Sequence, residues 1–267
     1  MTNDFLTGKT AFITGASGGI GSAIAETLAM EGVHLILHGN TNRASLARLA
    51  AELSERRKVR AETLFANLAE ESEQKRLIDE IEKRNAANHF SSPDILILAA
   101  GTDLMSAPMK RLAFEERLSH IFQVDVAASI RLAKHFGLLM KNEKRGGFSA
   151  RQVSQKSIVF FSWDGVEHGE SGETAELYAA AKGAIQGFSR SFAKTVAPEV
   201  RVCCVAPGWI KTTWGNVAAP QIEARIAGES LAGRWGTARE IAETVRFLVS
   251  NSASFLNNQT IVLNGGR

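Results

Sequence analysis

The chain has 267 residues, of which 45% are hydrophobic and 22% charged, and its formal net charge is +3. This balance is typical of a globular protein, and the length fits one large α/β domain or two small ones. The charge is too small and too mixed along the chain to indicate nucleic acid or a membrane surface as a partner, and we expect neither.

The beginning of the chain is short and polar, and no apolar stretch approaches the length of a membrane span. We therefore expect no signal peptide, a soluble protein and a cytoplasmic location. The two cysteines, Cys203 and Cys204, are adjacent in an apolar run, which favours buried strand residues over a redox pair and agrees with a reducing compartment.

Short β-branched runs alternate with longer helical patterns along the chain. Strands are predicted at residues 10–14, 34–38, 60–66, 94–99, 157–162, 201–206 and 260–263. Helices are predicted at residues 19–30, 44–55, 71–84, 114–141, 177–197 and 239–249. Repeated strand–helix units predict parallel strands with right-handed crossovers, and no linker or internal repeat divides them. The sequence therefore predicts a single α/β domain with a seven-stranded parallel sheet flanked by helices.

Two segments lack a regular pattern. Residues 142–156 are polar and contain glycine, and they precede a strand, so we expect them on the face away from the site. Residues 211–236 are irregular apart from a short helical pattern near 221–227.

The first strand runs into the sequence TGASGGIG, which places several glycines between a strand and a helix. Such glycines allow a tight turn, close approach of a pyrophosphate and close packing of the helix. The free N–H groups at the helix start then attract phosphate. A plain structural turn is the alternative, but it needs fewer glycines. The residues of this turn assigned to a dinucleotide cofactor are Gly15, Ser17, Gly19, Ile20 and Gly21.

The end of the second strand bears on the choice of cofactor. An acidic residue there binds the ribose 2′-hydroxyl of NAD, but the sequence from His38 to Arg43 contains none. Arg43 is placed to meet a 2′-phosphate, with Asn40 beside it, which favours NADP(H) over NAD(H). Arg43 as an exposed residue of the next helix is the alternative interpretation.

The chain has one tyrosine, Tyr178, and Lys182 follows it by one helical turn. Residues four apart share a helix face, so the phenol and the ammonium group can converge. A neighbouring cation lowers the pKa of a tyrosine and makes it a usable acid–base catalyst near neutral pH. Taken alone, this spacing is common by chance and is usually a surface pair.

Four ordered motifs together resemble the short-chain dehydrogenase/reductase family, and in particular its 3-oxoacyl-thioester reductase-like members. They are the TGASGGIG turn, Ser162 after the fifth strand, Tyr178 with Lys182, and Pro207-Gly208 after the sixth strand. The resemblance covers essentially the full length and implies a single Rossmann-type, doubly wound domain. It implies an NAD(P)-dependent oxidoreductase that transfers a hydride between nicotinamide and a carbonyl or secondary alcohol.

The resemblance also implies roles for matching residues. Ser162 would bind the substrate oxygen, Tyr178 would transfer the proton, and Lys182 would lower the tyrosine pKa and hold the nicotinamide ribose. Asp125 occupies the position of a relay asparagine. Further cofactor contacts implied by matching positions are Asn67, Leu68, Ala100, Gly101, Pro207, Gly208, Ile210 and Thr212, together with Tyr178 and Lys182 themselves.

The sequence departs from the family pattern at three places. After the fourth strand it has Leu98-Ala99-Ala100-Gly101 where two asparagines are usual, so bracing of this loop must come from elsewhere. Tyr178 follows Ser162 by sixteen positions, a little more than expected, and the added piece contains Trp163 and His168.

The third departure is Asp125 itself. An ionised carboxylate only accepts hydrogen bonds, whereas an asparagine also donates. A carboxylate close to Lys182 would offset its effect on Tyr178, so we predict that the active phenol titrates higher than in relatives with asparagine. A structural Asp125, paired with a cation away from the relay, is the alternative.

The sequence therefore predicts a reductase or dehydrogenase. A cofactor-binding sensor or scaffold without turnover is the rival from another class. A Rossmann-type methyltransferase would share the glycine-rich turn but has no need of the Ser/Tyr/Lys set. The resemblance implies a homotetramer or homodimer built on the helices near 114–141 and 177–197, and no metal is expected because the six histidines show no ligand spacing.

Overall fold

The computed structural model describes residues 6–86, 92–143, 156–212 and 220–267. The strands assigned within these residues are β1 (Thr10–Thr14), β2 (His34–Gly39), β3 (Ala61–Phe65), β4 (Ile95–Leu98), β5 (Lys156–Phe161), β6 (Val200–Pro207), β7 (Ile210–Lys211), β8 (Gly236–Thr237) and β9 (Gln259–Leu263). The α-helices are α1 (Gly19–Met30), α2 (Arg43–Arg57), α3 (Glu71–Ala86), α4 (Phe114–Ile121), α5 (Ser129–Asn142), α6 (Glu173–Val196), α7 (Pro220–Glu229) and α8 (Ala238–Val249).

Seven strands form one sheet in the order β3-β2-β1-β4-β5-β6-β9, and every neighbouring pair is parallel. This confirms the predicted Rossmann-type, doubly wound α/β fold with a seven-stranded parallel sheet. The chain builds outward from β1 in one direction and then from β4 in the other. The strand order therefore reverses between β1 and β4, and ligands bind beyond the carboxyl ends of the strands at such a point.

The strands carry apolar side chains on both faces because helices cover both sides of the sheet. In β1, Phe12 belongs to the core on the side of α5 and α6, whereas Ala11 and Ile13 belong to the core on the side of α1 and α8. The four residues of β4 are all buried, as a strand covered on both faces requires. On the second side, α8 starts with a capping box in which Thr237 and Glu240 exchange hydrogen bonds.

The helix predicted at 114–141 is not one regular α-helix. It consists of α4 and α5 joined by a π-helical turn at Phe122–Ala128. Such turns are rare and often lie at functional sites. Asp125 lies in the middle of this one, and its carboxylate is buried.

The segment predicted as irregular at 211–236 contains more structure than expected. The short strands β7 and β8 pair in parallel, and α7 is longer than the helical pattern predicted. Residues 144–155, which include most of the polar segment predicted at 142–156, lie outside the described residues, as do residues 213–219. Within the described ranges, no helix combines the length and the apolar character that crossing a bilayer demands.

Candidate active site

The glycine-rich turn between β1 and α1 packs against the end of β4. Gly15 has a φ of +69°, and a Cβ atom at this residue would lie 2.7 Å from the Cα of Ala100. A Cβ atom on Gly21 would lie 2.3 Å from the carbonyl oxygen of Gly15. Both positions therefore require glycine. The compact turn leaves the first N–H groups of α1 beside the strand ends.

A cleft of about 400 Å³ opens along these strand ends. Among the residues predicted to bind cofactor, its walls include Gly15, Ser17, Asn40, Asn67, Leu68, Ala100 and Gly101. Ile20 instead packs against the core beneath α1. Thr212, from the turn after β6, lies against Gly19, where a Cβ atom would be 3.2 Å from the threonine Cβ. The two predicted turns thus meet at one edge of the sheet.

His38 at the end of β2 connects three parts of this cleft. Its Nε2 lies 3.1 Å from the carbonyl oxygen of Ala66, and its Nδ1 lies 3.5 Å from the backbone nitrogen of Gly15. A carbonyl only accepts, so Nε2 carries the hydrogen and Nδ1 accepts from Gly15. Burial lowers the pKa of His38 to about 4. The sequence analysis did not assign this residue, although a histidine inside an apolar strand was the available signal.

The start of α2 carries a positive charge near the end of β3, and the polar Asn67 lines the cleft. The guanidinium carbon of Arg43 lies 4.6 Å from the centre of the Phe65 ring, a cation–π contact that holds this exposed side chain at the end of β3. Asn67 donates from Nδ2 to Glu70, and its Oδ1 accepts from the backbone of Ala69. The Asn67 side chain thus braces the turn before α3.

Tyr178 on α6 reaches the loop that follows β4. Its hydroxyl donates to the carbonyl oxygen of Thr102 at 2.5 Å and accepts from the N–H of Leu104 at 3.4 Å. Burial raises the pKa of Tyr178 above its ordinary value, and the carboxylates of Asp125 and Asp103 raise it further. Burial and these carboxylates act against the lowering of this pKa by Lys182 that the family resemblance implied.

Lys182 forms an ion pair with Asp125. The Nζ of Lys182 lies 2.6 Å from Oδ1 of Asp125, whose Oδ2 accepts from the N–H of Thr102 at 2.9 Å. Both side chains are buried, so their charges attract each other with little screening by water. The ammonium charge is directed to Asp125 rather than to the phenol.

The loop after β4 is braced without the two asparagines that the sequence lacks. The N–H of Ala100 donates to Oγ1 of Thr14 at 3.1 Å, and Asp125 holds Thr102. Gly101 lies over the buried ion pair, since a Cβ atom there would be 3.2 Å from Oδ1 of Asp125.

Ser162 follows β5 and is buried, but its hydroxyl is turned toward α6. Its Oγ donates to the carbonyl oxygen of Lys182 at 3.1 Å and lies 3.3 Å from Oε1 of Gln186. The amide nitrogen of Gln186 in turn donates to Glu167 at 2.7 Å. The sequence analysis missed Gln186 and Thr102 because main-chain and amide contacts of this kind have no motif.

The turn after β6 lies close to the segment after Ser162. The N–H of Gly208 donates to the carbonyl oxygen of Leu263, and a Cβ atom on Gly208 would lie 3.0 Å from Oδ2 of Asp164. Pro207 ends β6 and Ile210 begins β7. Trp163 lies near Tyr178, with ring centres 6.2 Å apart, whereas His168 is exposed.

A nicotinamide dinucleotide fits the donor set of this cleft. The glycine turn at the start of α1 provides backbone N–H groups for phosphates, and the positions where a Cβ atom would collide keep that backbone close to the cleft. In the described parts of the chain, no group of three or more His, Cys, Asp or Glu residues could hold a metal ion.

Comparison with known proteins finds relatives over nearly the whole chain. Residues 15–267 match a family model described as enoyl-(acyl carrier protein) reductase. An uncharacterized oxidoreductase, YmfI of Bacillus subtilis, is 37% identical, covering 97% of this chain and 98% of the relative. The 3-oxoacyl-[acyl-carrier-protein] reductase FabG of Escherichia coli is 32% identical, covering 97% of each chain.

Solved structures give the same assignment. A short-chain dehydrogenase/reductase of Brucella melitensis has a TM-score of 0.80 at 27% identity, over 100% of this chain and 98% of the other. The angucycline C-6 ketoreductase LanV with bound NADP has a TM-score of 0.83 at 25% identity, over 98% and 96%. The chain belongs to the short-chain dehydrogenase/reductase family. It is an oxidoreductase that uses a nicotinamide cofactor to interconvert carbonyl and alcohol groups.

Proposed function

We propose that the chain is an NADPH-preferring reductase of 3-oxoacyl thioesters or related ketones. The observation that carries this proposal is the meeting of Tyr178, Lys182 and Asp125 beside the glycine-lined cleft. The FabG relatives support the substrate class, and the LanV ketoreductase with NADP supports the cofactor. A cytoplasmic location fits the FabG-like character of the chain and stays a prediction.

The residues that follow β2 support a preference for NADPH. No acid follows this strand to bind a ribose 2′-hydroxyl, and Asn40 lines the cleft. Arg43 is held against Phe65, the residue before Ala66 of the cleft wall, which supports a contact of its guanidinium group with a 2′-phosphate. A comparison of Kd values for NADPH and NADH tests this preference.

In the proposed reaction, Tyr178 and Ser162 have different roles. The nicotinamide, when bound, supplies the hydride. Tyr178 leaves its hydrogen bond to Thr102 and donates its proton to the substrate oxygen. Ser162 exchanges its hydrogen bond to the backbone of Lys182 for one to the same oxygen.

Lys182 and Asp125 act on the phenol through their charges. When Tyr178 loses its proton, the ammonium group of Lys182 stabilises the phenolate, and the ion pair with Asp125 limits that stabilisation. We also infer Ala100, Gly101, Pro207, Gly208, Ile210 and Thr212 as cofactor contacts from their places around the cleft and its neighbouring turn.

We propose a homotetramer or homodimer in solution. Phe114 on α4 and Leu138 and Leu139 on α5 are large apolar side chains that remain exposed on the helices implied for assembly. Their exposure supports burial against another copy.

The testing experiment follows absorbance of reduced nicotinamide with NADPH and NADH across β-ketoacyl thioesters, ketoses, cyclic ketones and quinones. Tyr178→Phe removes the proton donor and little volume, and we expect kcat to fall by about 10³-fold while the Kd for NADPH stays the same. Equal turnover by the variant would contradict the role of Tyr178.

One further candidate is a cofactor-binding sensor without turnover. The arrangement that favours it is the engagement of Tyr178 by Thr102 and of Lys182 by Asp125. NADPH binding with no turnover of any carbonyl in the panel would support it.

A further inference from the structure

Arg267, which follows β9, lies among three carboxylates. Its guanidinium nitrogens are 2.5 Å from Glu170, 3.1 Å from Glu229 and 4.0 Å from Asp164. The arginine side chain is only 19% exposed, and the carboxylate of Asp164 is fully buried. Charges in such surroundings interact more strongly than those of an exposed pair.

The three acids come from two separate segments, which we call the two walls because one follows Ser162 and the other follows the turn after β6. Asp164 and Glu170 belong to the loop of residues 163–172, which connects Ser162 to the helix of Tyr178. Glu229 is the last residue of α7, which follows the turn after β6. One cation therefore joins the 163–172 loop to α7.

The segment that carries Arg267 is itself attached to both walls. Asn264 donates to Asp164 at 3.3 Å. On the other side, the carbonyl oxygen of Gly265 accepts from the N–H of Ala232 at 3.0 Å and from the hydroxyl of Ser230 at 3.1 Å. These contacts hold the backbone in place and direct the guanidinium into the acidic group.

Replacing Arg267 by a neutral residue would remove positive charge from among the carboxylates. Asp164 and Glu170 would then lose the guanidinium group, and Glu229 would keep only its exposed pair with Arg225 at 3.7 Å. The neighbouring carboxylates would repel each other more strongly as a result. The repulsion acts between the two walls, so it would loosen the loop and α7 together. The glycine-lined cleft lies elsewhere along the strand ends, and Arg267 and the three acids are not part of its lining.

We propose that Arg267 is a positioning residue that fixes the 163–172 loop against α7 and thereby sets the affinity for the carbonyl substrate. This inference rests on the proposed function for its kinetic consequence. Its structural consequence, the coupling of the two walls, does not depend on which carbonyl is reduced.

The first experiment compares Arg267→Ala with Arg267→Lys. Arg239→Ala is the control because Arg239 makes an exposed ion pair with Glu243 within α8. For Arg267→Ala we expect KM for the carbonyl to rise about tenfold and kcat to change less than about twofold, with the Kd for NADPH unchanged. Lysine keeps the positive charge but not the planar, forked guanidinium group. We therefore expect the rise in KM for Arg267→Lys to be about half as large, on a logarithmic scale, as for Arg267→Ala.

A double-mutant cycle then tests whether one arginine serves both walls. Glu170→Gln and Glu229→Gln are each combined with Arg267→Ala. We expect the KM effects to be non-additive in both cycles, because each pair shares the same guanidinium. Additive effects in both cycles would overturn the proposal.

A measurement without turnover separates this inference from the proposed function. Hydrogen exchange in the unliganded chain should become faster in Arg267→Ala for peptides covering 163–172 and 220–232, and should stay at the parent rate in Arg239→Ala. Faster exchange in both segments supports the coupling even if no carbonyl in the panel is reduced. Parent-like exchange in both segments, or faster exchange spread over the whole chain, overturns it.

Discussion

Tyr178 has two acidic neighbours in addition to the lysine that the family pattern supplies. Burial of the phenol is the main cause that raises its pKa, and Asp125 and Asp103 raise it further. Asp125 is also the partner of Lys182, at 2.6 Å. Asp125 thus raises the pKa of the Tyr178 phenol directly, and it also pairs with Lys182, whose charge would lower that pKa.

Asp125→Asn should move the pH dependence of the reaction to lower pH. The substitution removes a negative charge beside Tyr178 and frees the ammonium group of Lys182, and both changes lower the pKa of the phenol. Reduction requires the protonated phenol, so the alkaline fall of kcat/KM should begin at a lower pH than in the parent. The measurement is a pH–rate profile with saturating NADPH.

Asp103→Asn is the matched control for that experiment. Asp103 accepts from the N–H groups of Met105 and Ser106, which an asparagine oxygen can also do, and it does not pair with Lys182 in the structure. We expect a smaller movement in the same direction. Superimposed profiles for Asp125→Asn and the parent would show that the carboxylate is only structural.

Which residues lie near the site could be predicted from the sequence, but the orientations of their side chains could not. The spacing of Tyr178 and Lys182 and the closeness of Asp125 followed from helical geometry and the family pattern. The orientation of Ser162 toward Gln186 did not, because a hydroxyl rotates among several acceptors. The contact of Tyr178 with Thr102 could not be predicted either, since every residue has a carbonyl group.

At the scale of elements, Arg201 joins β6 to the segments that follow α8. It is buried, and its two terminal nitrogens donate to the carbonyl oxygens of Leu248, Ser250 and Ala253 and to the hydroxyl of Ser157. The planar fork of an arginine suits several acceptors in fixed directions. This one residue therefore sets the end of α8 against the sheet.

Arg201→Lys should reduce the free energy of unfolding by about 3 kcal/mol, because lysine offers fewer donors and leaves buried carbonyl groups without partners. Urea denaturation at a fixed protein concentration measures the change. Arg239→Lys alters an exposed pair on α8 and should leave the midpoint nearly unchanged. An unchanged midpoint for Arg201→Lys would mean that waters or neighbouring groups replace the lost bonds.

The order of helices and strands was predictable because the apolar patterns were long and regular. The break between α4 and α5 was not, since a π-helical turn keeps helical composition and changes only which carbonyl each N–H reaches. The short strands β7 and β8 escaped prediction because a pair of two-residue strands has no periodicity.

At the scale of the whole molecule, His38 couples protonation to folding. It is buried where the ends of β1, β2 and β3 meet, and its pKa is lowered to about 4 by burial. The unfolded chain binds a proton near the ordinary pKa of about 6.5. The stability that His38 contributes is therefore complete above pH 6.5 and is lost as the pH falls toward 4.

Between pH 7 and pH 5 the parent should lose about 2 kcal/mol of stability through His38. His38→Asn removes the titrating group, so its unfolding free energy should depend less on pH over the same interval. Urea denaturation at both pH values gives the difference, and His168→Asn, which removes an exposed imidazole, is the control. An equal loss in His38→Asn and the parent would assign the pH dependence to other groups.

The π-helical turn also constrains the length of the chain. It accommodates one residue more than an α-helix of the same span, and Asp125 occupies its middle. Deletion of one residue from 122–128 would let the two helices merge into one α-helical register. Because the π-helical turn holds its extra residue without turning the flanking helices, α4 and α5 would keep the faces that they now present. Leu132 and Phe136 would then stay in the core, whereas Asp125 would lose the widened turn that places it against Lys182. A one-residue deletion within 122–128 should therefore disturb the ion pair of Asp125 with Lys182 more than the packing of α5.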